Sequence, residues 1–243
     1  MIHVEGLQKS FGDVAAVQDI SFTANNGAIT GLLGPNGAGK TTTLRILSTL
    51  LRPDHGFASV DGCDVATDPL GVLRKLGVLP ESRGLYARLT PREHVRYFGE
   101  LHGLEGDELD SRIRSLFELL EMEEIADRRV EGFSLGERTK VAIARALVHG
   151  PQTIVFDEPT SGLDVMSTRA MRELIRKLAS GGACILLSTH VMQEVAALCD
   201  EVVVVTGGRV AACGTCEELC AQTSEENIEE AFVSIIGSGR GLR

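Results

Sequence analysis

The stretch Gly34-Pro35-Asn36-Gly37-Ala38-Gly39-Lys40-Thr41-Thr42 constrains this chain more than any other. An apolar run, Ala28-Ile29-Thr30-Gly31-Leu32-Leu33, precedes it and reads as a buried strand, and the segment from Thr42 to Leu51 has helical character. Strand, glycine loop and helix in that order are the setting of a phosphate-binding loop. Glycines at 34, 37 and 39 let successive N–H groups point inward, and the helix N-terminus sets the positive end of its dipole behind them. Such a nest suits the oxygens of a nucleotide polyphosphate. Lys40 supplies a point charge for the β- and γ-phosphates, and the Thr41 hydroxyl is a ligand for Mg²⁺. A glycine-rich turn matching by chance would not place the whole G-x-x-x-x-G-K-T pattern between a strand and a helix.

The chain has 243 residues, 43% of them apolar, enough to bury a full core. It reads as one globular unit, residues 1–243. Acids outnumber bases 34 to 24, the net charge is −10, and the lysines and arginines are dispersed, so no nucleic-acid partner is expected. The opening Met1-Ile2-His3-Val4-Glu5 lacks the charged and apolar regions of a secretory signal, and no apolar run approaches the roughly 20 residues of a membrane span. A cytoplasmic chain is the expectation. Six irregularly placed cysteines argue against a secreted disulfide scaffold. Cys213-Gly214-Thr215-Cys216, with Cys220 beyond, could bind metal or act as a redox pair, but structural zinc wants four ligands and no second pair or histidine is near. The plainer reading is a strand end, a turn at Gly214-Thr215, and a helix with Cys216 near its start.

In chain order, residues 2–8 and 19–24 alternate apolar and polar and read as antiparallel strands with one wet face. Asn25-Asn26-Gly27 turns the chain into the strand that feeds the glycine loop. Between the first two strands, Phe11 of Ser10-Phe11-Gly12 can stack on an adenine ring or belong to the core, and the residues alone favour the core. Pro53-Asp54-His55-Gly56 reads as a turn, Phe57-Ala58-Ser59-Val60 as a short strand, and Leu76-Gly77-Val78-Leu79-Pro80 as a buried strand ending in Glu81. From Thr90 to about Leu147 the pattern is helical. Thr90-Pro91-Arg92-Glu93 is a capping box, Leu109, Ile113, Leu116, Phe117 and Leu120 share one face, and Ser134-Leu135-Gly136-Glu137 is a second cap whose default reading is an ordinary helix start.

Strand character returns at Thr153-Ile154-Val155-Phe156-Asp157-Glu158. A run buried on both faces belongs to a parallel sheet, whose carboxyl ends are where ligands bind. Two acids there are costly without positive charge beside them. Asp157 suits the Mg²⁺ of a P-loop nucleotidase, and Glu158 is placed to orient or deprotonate the attacking water. A helix over 165–179 follows, then a buried strand over 183–189 ending in His190, which is expected to contact the γ-phosphate. A hairpin over 201–212 and helices over 215–222 and 225–236 close the chain, with a frayed tail beyond Gly237. The fold class is therefore α/β: a P-loop nucleotidase core with a mainly parallel sheet, an N-terminal antiparallel β subdomain and an inserted helical subdomain. The core with its β subdomain takes residues 1–89 and 151–215, the helical insert 90–150, and the C-terminal helices and tail 216–243.

These motifs together resemble the nucleotide-binding subunit of ATP-binding cassette (ABC) transporters over nearly the whole chain. The family signature Leu-Ser-Gly-Gly-Gln, followed by Arg-x-Arg/Lys-Val, is matched by Phe133-Ser134-Leu135-Gly136-Glu137 and Arg138-Thr139-Lys140-Val141. The acidic strand end is Asp157-Glu158-Pro159-Thr160, the D-loop Ser161-Gly162-Leu163-Asp164, and the switch histidine His190. The resemblance implies ATP and Mg²⁺ as ligands and Phe11 as the adenine platform. ATP would lie on Gly34 to Thr42 and meet Ser134, Gly136 and Asp164. Thr41, Asp157 and Glu81 would serve the metal, and Lys40, Glu158 and His190 the reaction.

The same resemblance implies a second nucleotide-binding domain, as homo- or heterodimer, and a separate membrane permease of ABC-2 type. The chain would then sit on the inner face of the cell membrane. Leu79 to Tyr86, Leu89-Thr90 and Tyr97-Phe98-Gly99 are similar to the branch holding bacterial sodium-extrusion ATPases and drug and polysaccharide exporters. Leu135 stands where the family has glycine, Glu137 where it has glutamine, and Glu81 replaces the Q-loop glutamine. Leu135, whose side chain can obstruct the approach to phosphate, and Glu137, repulsive unless it turns away to cap its own helix, imply weaker signature binding; Glu81 can still meet Mg²⁺ through water and implies altered rather than absent coupling. Two rival classes are a soluble ABC ATPase of translation or DNA repair and a nucleotide-binding regulator without hydrolysis. The interval between Lys40 and Asp157 is too short for the coiled coil of the repair type.

Overall fold

The computed structural model describes residues 1–237. In chain order the elements are β1 (Ile2–Phe11), β2 (Val14–Ala24), β3 (Ile29–Leu33), α1 (Lys40–Leu47), β4 (His55–Val60), β5 (Cys63–Asp64), α2 (Pro69–Lys75) and β6 (Leu76–Leu79). They continue with α3 (Pro91–Leu101), α4 (Gly106–Leu119), α5 (Leu135–Leu147), β7 (Thr153–Asp157), α6 (Val165–Ser180), β8 (Cys184–Thr189), α7 (Met192–Leu198), β9 (Glu201–Thr206), β10 (Arg209–Gly214), α8 (Cys216–Thr223) and α9 (Ile228–Gly237). The tail expected to fray lies outside the described residues.

The strands run in the order β5-β4-β1-β2-β10-β9-β3-β8-β7-β6. One half is antiparallel: β1 pairs with β2 and β4, and β4 with β5. The other half is parallel through β9, β3, β8, β7 and β6, with β10 returning antiparallel on β9. A parallel contact between Arg209 and Asp19 joins the halves, reinforced where Gln18 N–H donates to the Gly208 carbonyl at 2.7 Å. Every residue of β3, β7 and β8 is buried, as strands covered on both faces require. Ile154, Phe156, Ile185 and Leu187 pack with Val141 and Ala144 of α5 and Ile175 of α6. Val155 and Leu186 point the other way, into a core with Leu44 and Leu47 of α1 and Ile2, Leu7 and Ile20 of the antiparallel strands. The sheet is thus a wall between two apolar layers, and its ends are where polar groups collect.

Several boundaries differ from the sequence reading. The first hairpin extends past residue 8 and begins before 19, which places Ser10 and Phe11 in β1, and β4 starts at His55 inside the expected turn. Helix α1 starts at Lys40 and stops at Leu47, because Thr49 takes a left-handed φ of 60°. Helices α2 and α7 carried no readable stripe: Val72 is the one buried residue of α2, and α7 buries Val195 and Leu198 beside an acid, Glu194. Both capping boxes formed. The Thr90 and Ser134 hydroxyls accept from the N–H groups of Glu93 and Glu137, whose carboxylates accept in return. At the other end of the chain, β10 ends at Gly214, Thr215 caps α8, and Cys216 is its first residue.

Where α5 ends, the His149 ring stacks on His102 at 3.8 Å between centroids and 2° between planes. Burial, with His102 and Arg112 nearby, pushes the His149 pKa from 6.5 down to about 4. The folded protein therefore holds this ring neutral while the unfolded chain binds a proton, and stability falls as pH drops from about 6.5 to about 4. Replacing His149 with Phe keeps the stack and removes the titration. Denaturant unfolding of His149→Phe across that range should lose stability less steeply than wild type; equal slopes would show that His149 does not carry the effect.

Candidate active site

The parallel ladder brings three strand ends to one line. Leu33 pairs with Thr189 and Asp157 with Ser188, so the chain leaves β3, β8 and β7 at neighbouring points of one edge. From the end of β3 the glycine loop turns into α1. Gly34 fits because a Cβ there would lie 2.2 Å from the Val205 carbonyl oxygen, and Gly39 because its φ is +107° and a Cβ would meet the Ala16 oxygen at 2.7 Å. Pro35, Asn36 and Gly37 form the exposed tip, Ala38 is buried, and Thr41 and Thr42 are half-buried on the first turn of α1.

Lys40 is only 6% exposed, and its Nζ donates to the carbonyls of Gly34 at 2.6 Å and Pro35 at 3.2 Å. An ammonium has three protons, so one donor remains for a ligand oxygen. Burial pushes the Lys40 pKa down, while Glu158, Asp157 and Glu81, in that order, pull it up. The cation and the three acids share one electrostatic neighbourhood. The groups present fit an anionic polyphosphate with a hard cation: a glycine cradle closed to any Cβ at Gly34, a spare ammonium donor, and the oxygens of Thr41 and Asp157.

Asp157 is 8% exposed and accepts from the Ser188 hydroxyl at 2.5 Å. Glu158 adopts φ +47°, rare for a residue with a side chain and opposed by Pro159, which pushes its predecessor toward extended backbone. Such a conformation costs about 1–3 kcal/mol and persists only when its surroundings fix it. Glu158 N–H donates to the Ser188 carbonyl at 3.1 Å, Ser161 N–H donates to the Glu158 carbonyl at 3.2 Å, and the carboxylate meets His190 Nδ1 at 2.8 Å. The segment after His190 is fastened to α6, where Arg172 forks onto the buried Glu194 at 2.7 and 3.0 Å.

Ser134 and Glu137 cap α5 reciprocally, and Glu137 also lies 3.6 Å from Arg128. The Ser134 N–H and the Arg128 guanidinium hold its carboxyl below the usual carboxylate range. Leu135, 40% exposed, lies against Gly162, and Gly136 packs on Ser167. Asp164 caps α6, accepting from Ser167 N–H at 2.9 Å and its hydroxyl at 2.7 Å. Among the described residues no hydrogen bond or ion pair links Ser134 or Gly136 to Lys40, Asp157 or His190. Phe11 is 48% exposed at the hairpin tip, with Lys9 Nζ 5.8 Å from its ring, so it is not a core residue. Glu81 is exposed on the loop after β6.

The sequence reading missed Ser188, the Arg172–Glu194 pair and Arg83. Ser188 carried a usable signal, being a polar residue that closes an apolar strand next to the acid strand. Arg172 and Glu194 gave none, since a helical arginine and a helical glutamate look like solvated surface.

A glycine loop, a buried lysine and an acid pair at one parallel-sheet edge define a P-loop nucleotide hydrolase. A family model described as ABC transporter matches residues 17–161, and the chain belongs to that family. It is 43% identical over 244 residues to the ABC transporter ATP-binding protein NatA of Bacillus subtilis, covering 98% of this chain and 99% of the relative. It is also 37% identical over 228 residues to the daunorubicin resistance ATP-binding protein DrrA3 of Streptomyces coeruleorubidus, covering 94% and 72%. A solved ATP-binding subunit of an ABC transporter superposes with a TM-score of 0.89 at 31% identity, over 97% of this chain and 99% of that one. The protein is an ATP-binding, ATP-hydrolysing subunit of an ABC transporter. Among the described residues no helix is long and apolar enough to cross a membrane.

A methyl group at Gly34 has no room between the loop and β9. Gly34→Ala should lower unfolding stability by about 2 kcal/mol, in the range of overpacked cores, and weaken ATP binding. Denaturant titration with and without ATP measures both, and a variant as stable as wild type would show that the loop can retreat from Val205.

Proposed function

We propose that two cassettes, identical or different, enclose two ATP molecules, each held by the glycine loop of one and the α5 N-terminus of the other, and that closing and reopening drive a separate membrane permease in an export cycle. The observation that carries this reading is the separation within one chain. Lys40, Asp157, Glu158 and His190 gather at the sheet edge, while Ser134 and Gly136 open α5 elsewhere with helix N–H groups that call for an anion. A partner's nucleotide answers that call. The placement would be peripheral, on the inner face of the cell membrane.

In this reading, residues 34–42 wrap the phosphates, Lys40 donates its remaining hydrogen bond to a phosphate oxygen, and the exposed Phe11 ring stacks on adenine. Thr41 and Asp157, with Glu81, would hold Mg²⁺, which would supply charge neutralisation at the phosphates. Glu158 orients and deprotonates the water. His190 holds Glu158 through Nδ1 and turns its other ring nitrogen, Nε2, to the γ-phosphate. Asp164 shapes the D-loop that faces the partner.

Glu137 spends its charge on its own helix start, so the glutamine-to-glutamate change adds no repulsion at the nucleotide, whereas Leu135 narrows the approach and weakens the signature contact. The exposed apolar patch of Tyr86 and Tyr97, beside the loop that carries Glu81, is the face we assign to a permease of ABC-2 type. Export is the direction of this reading, with sodium, a drug or a polysaccharide as the cargo classes of the branch that the sequence resembles.

Glu158→Gln keeps the shape of the turn and removes the base. ATP should still bind, turnover should fall at least about a hundredfold, and an ATP-bound dimer should accumulate in size-exclusion chromatography. Hydrolysis at the wild-type rate in this variant would refute the role given to Glu158.

A further inference from the structure

Arg83 is 5% exposed, yet it lies in the loop between β6 and α3, where a charged side chain would ordinarily reach water. Its guanidinium spends four donor contacts on three separate parts of the chain. Nη1 donates to the carbonyls of Pro80 at 2.8 Å and Glu81 at 2.9 Å, which folds the loop around the side chain. Nε donates to the Thr139 hydroxyl at 3.1 Å, on the second turn of α5. Nη2 donates to the carbonyl of Pro159 at 3.2 Å, one residue beyond Glu158. All four acceptors are neutral oxygens, so the contacts serve geometry before they serve charge balance. Charge enters at longer range, where Glu81 and Asp157 favour the cation against the cost of burial.

A second arginine holds the same loop. Arg145, near the end of α5, donates to the carbonyls of Gly84 and Arg83, each at 3.1 Å, and its Cζ lies 4.9 Å from the Phe98 ring centre of α3. The loop is thereby part of the helical body. Through Arg83 that body grips the backbone of the turn that holds Glu158 in its left-handed conformation. A turn held against local preference moves when its supports move, and Pro159, with no N–H of its own, offers its carbonyl as the available handle.

We propose that Arg83 is a positioning residue for Glu158: it ties the orientation of α5 and of the Glu81 loop to the catalytic turn, so that the glutamate is aligned only when the helical body is seated. The inference rests on the role of Glu158 proposed above. It requires the planar fork of an arginine, since one ammonium cannot reach Thr139, Pro159 and the loop carbonyls together.

Steady-state ATP hydrolysis, fluorescent-nucleotide binding and thermal melts of the full chain with Mg²⁺ test it, using Arg83→Met, Arg83→Lys, Thr139→Val, Thr139→Ser and Glu158→Gln. Arg83→Met and Arg83→Lys should each lower kcat about tenfold, as misplacement of a catalytic group does, with KM and nucleotide affinity within about twofold of wild type. Thr139→Val should lower kcat about threefold, and Thr139→Ser, which restores the acceptor, should recover it. A purely structural role would instead lower the melting temperature and leave kcat per folded molecule unchanged, which overturns the proposal, as does a loss of kcat matched by an equal loss of nucleotide affinity. Should Arg83→Met fail to fold, Thr139→Val decides: wild-type kcat there overturns the proposal. Hydrolysis surviving in Glu158→Gln would bring down the role of Glu158 itself, whereas hydrolysis lost there but intact in the Arg83 and Thr139 variants would sink the coupling alone.

Discussion

The in-register pairing of β3, β8 and β7 is the constraint on which the site depends. Parallel strands whose hydrogen bonds begin and end together must release the chain at one edge, and here they release Gly34, Asp157 and His190. Nothing in the loops alone would assemble these groups. A one-residue slip of β7 against β8 would separate Asp157 from Ser188 and turn Phe156 out of its layer, so the apolar layers on both faces hold the register that the polar edge needs.

The polar edge solves its own burial problem locally. Lys40 is surrounded by loop carbonyls and three acids, Asp157 by Ser188, Glu158 by His190, and Glu194 by Arg172. Each buried charge has a partner within its own chain before any ligand arrives, which is what allows so many ionisable groups to crowd one end of a hydrophobic sheet. The same economy explains Glu137. A carboxylate at the third position of α5 finds two uses at once, the Ser134 N–H and the Arg128 guanidinium, both away from the helix mouth.

What could be read from sequence was what local chemistry dictates. The glycine loop, the apolar strand that runs into Asp157 and both capping boxes are each encoded within a few residues, and each formed as expected, though the strand stops one residue short of Glu158. The shape of the Glu158 turn was not legible, because Glu before Pro points to extended backbone and only the Ser188 carbonyl and its neighbours overrule it. Arg83 was invisible as a structural residue for a related reason: its acceptors lie at 80, 81, 139 and 159, on three segments that only tertiary folding brings together. Phe11 was misread from its surroundings as a core residue, since a strand-end phenylalanine faces in or out according to where the hairpin tip falls. Helix α2 escaped notice because Leu70 and Leu73 are exposed, leaving no stripe for periodicity to find.

The two carbonyl bonds of Lys40 carry a consequence for how the loop aims its charge. Two of the three ammonium protons are committed to the oxygens of Gly34 and Pro35, so the backbone of the loop itself fixes where the third can point. The direction of this cation is thus written into the chain a few residues ahead of it, and the long flexible side chain acts as a rigid one.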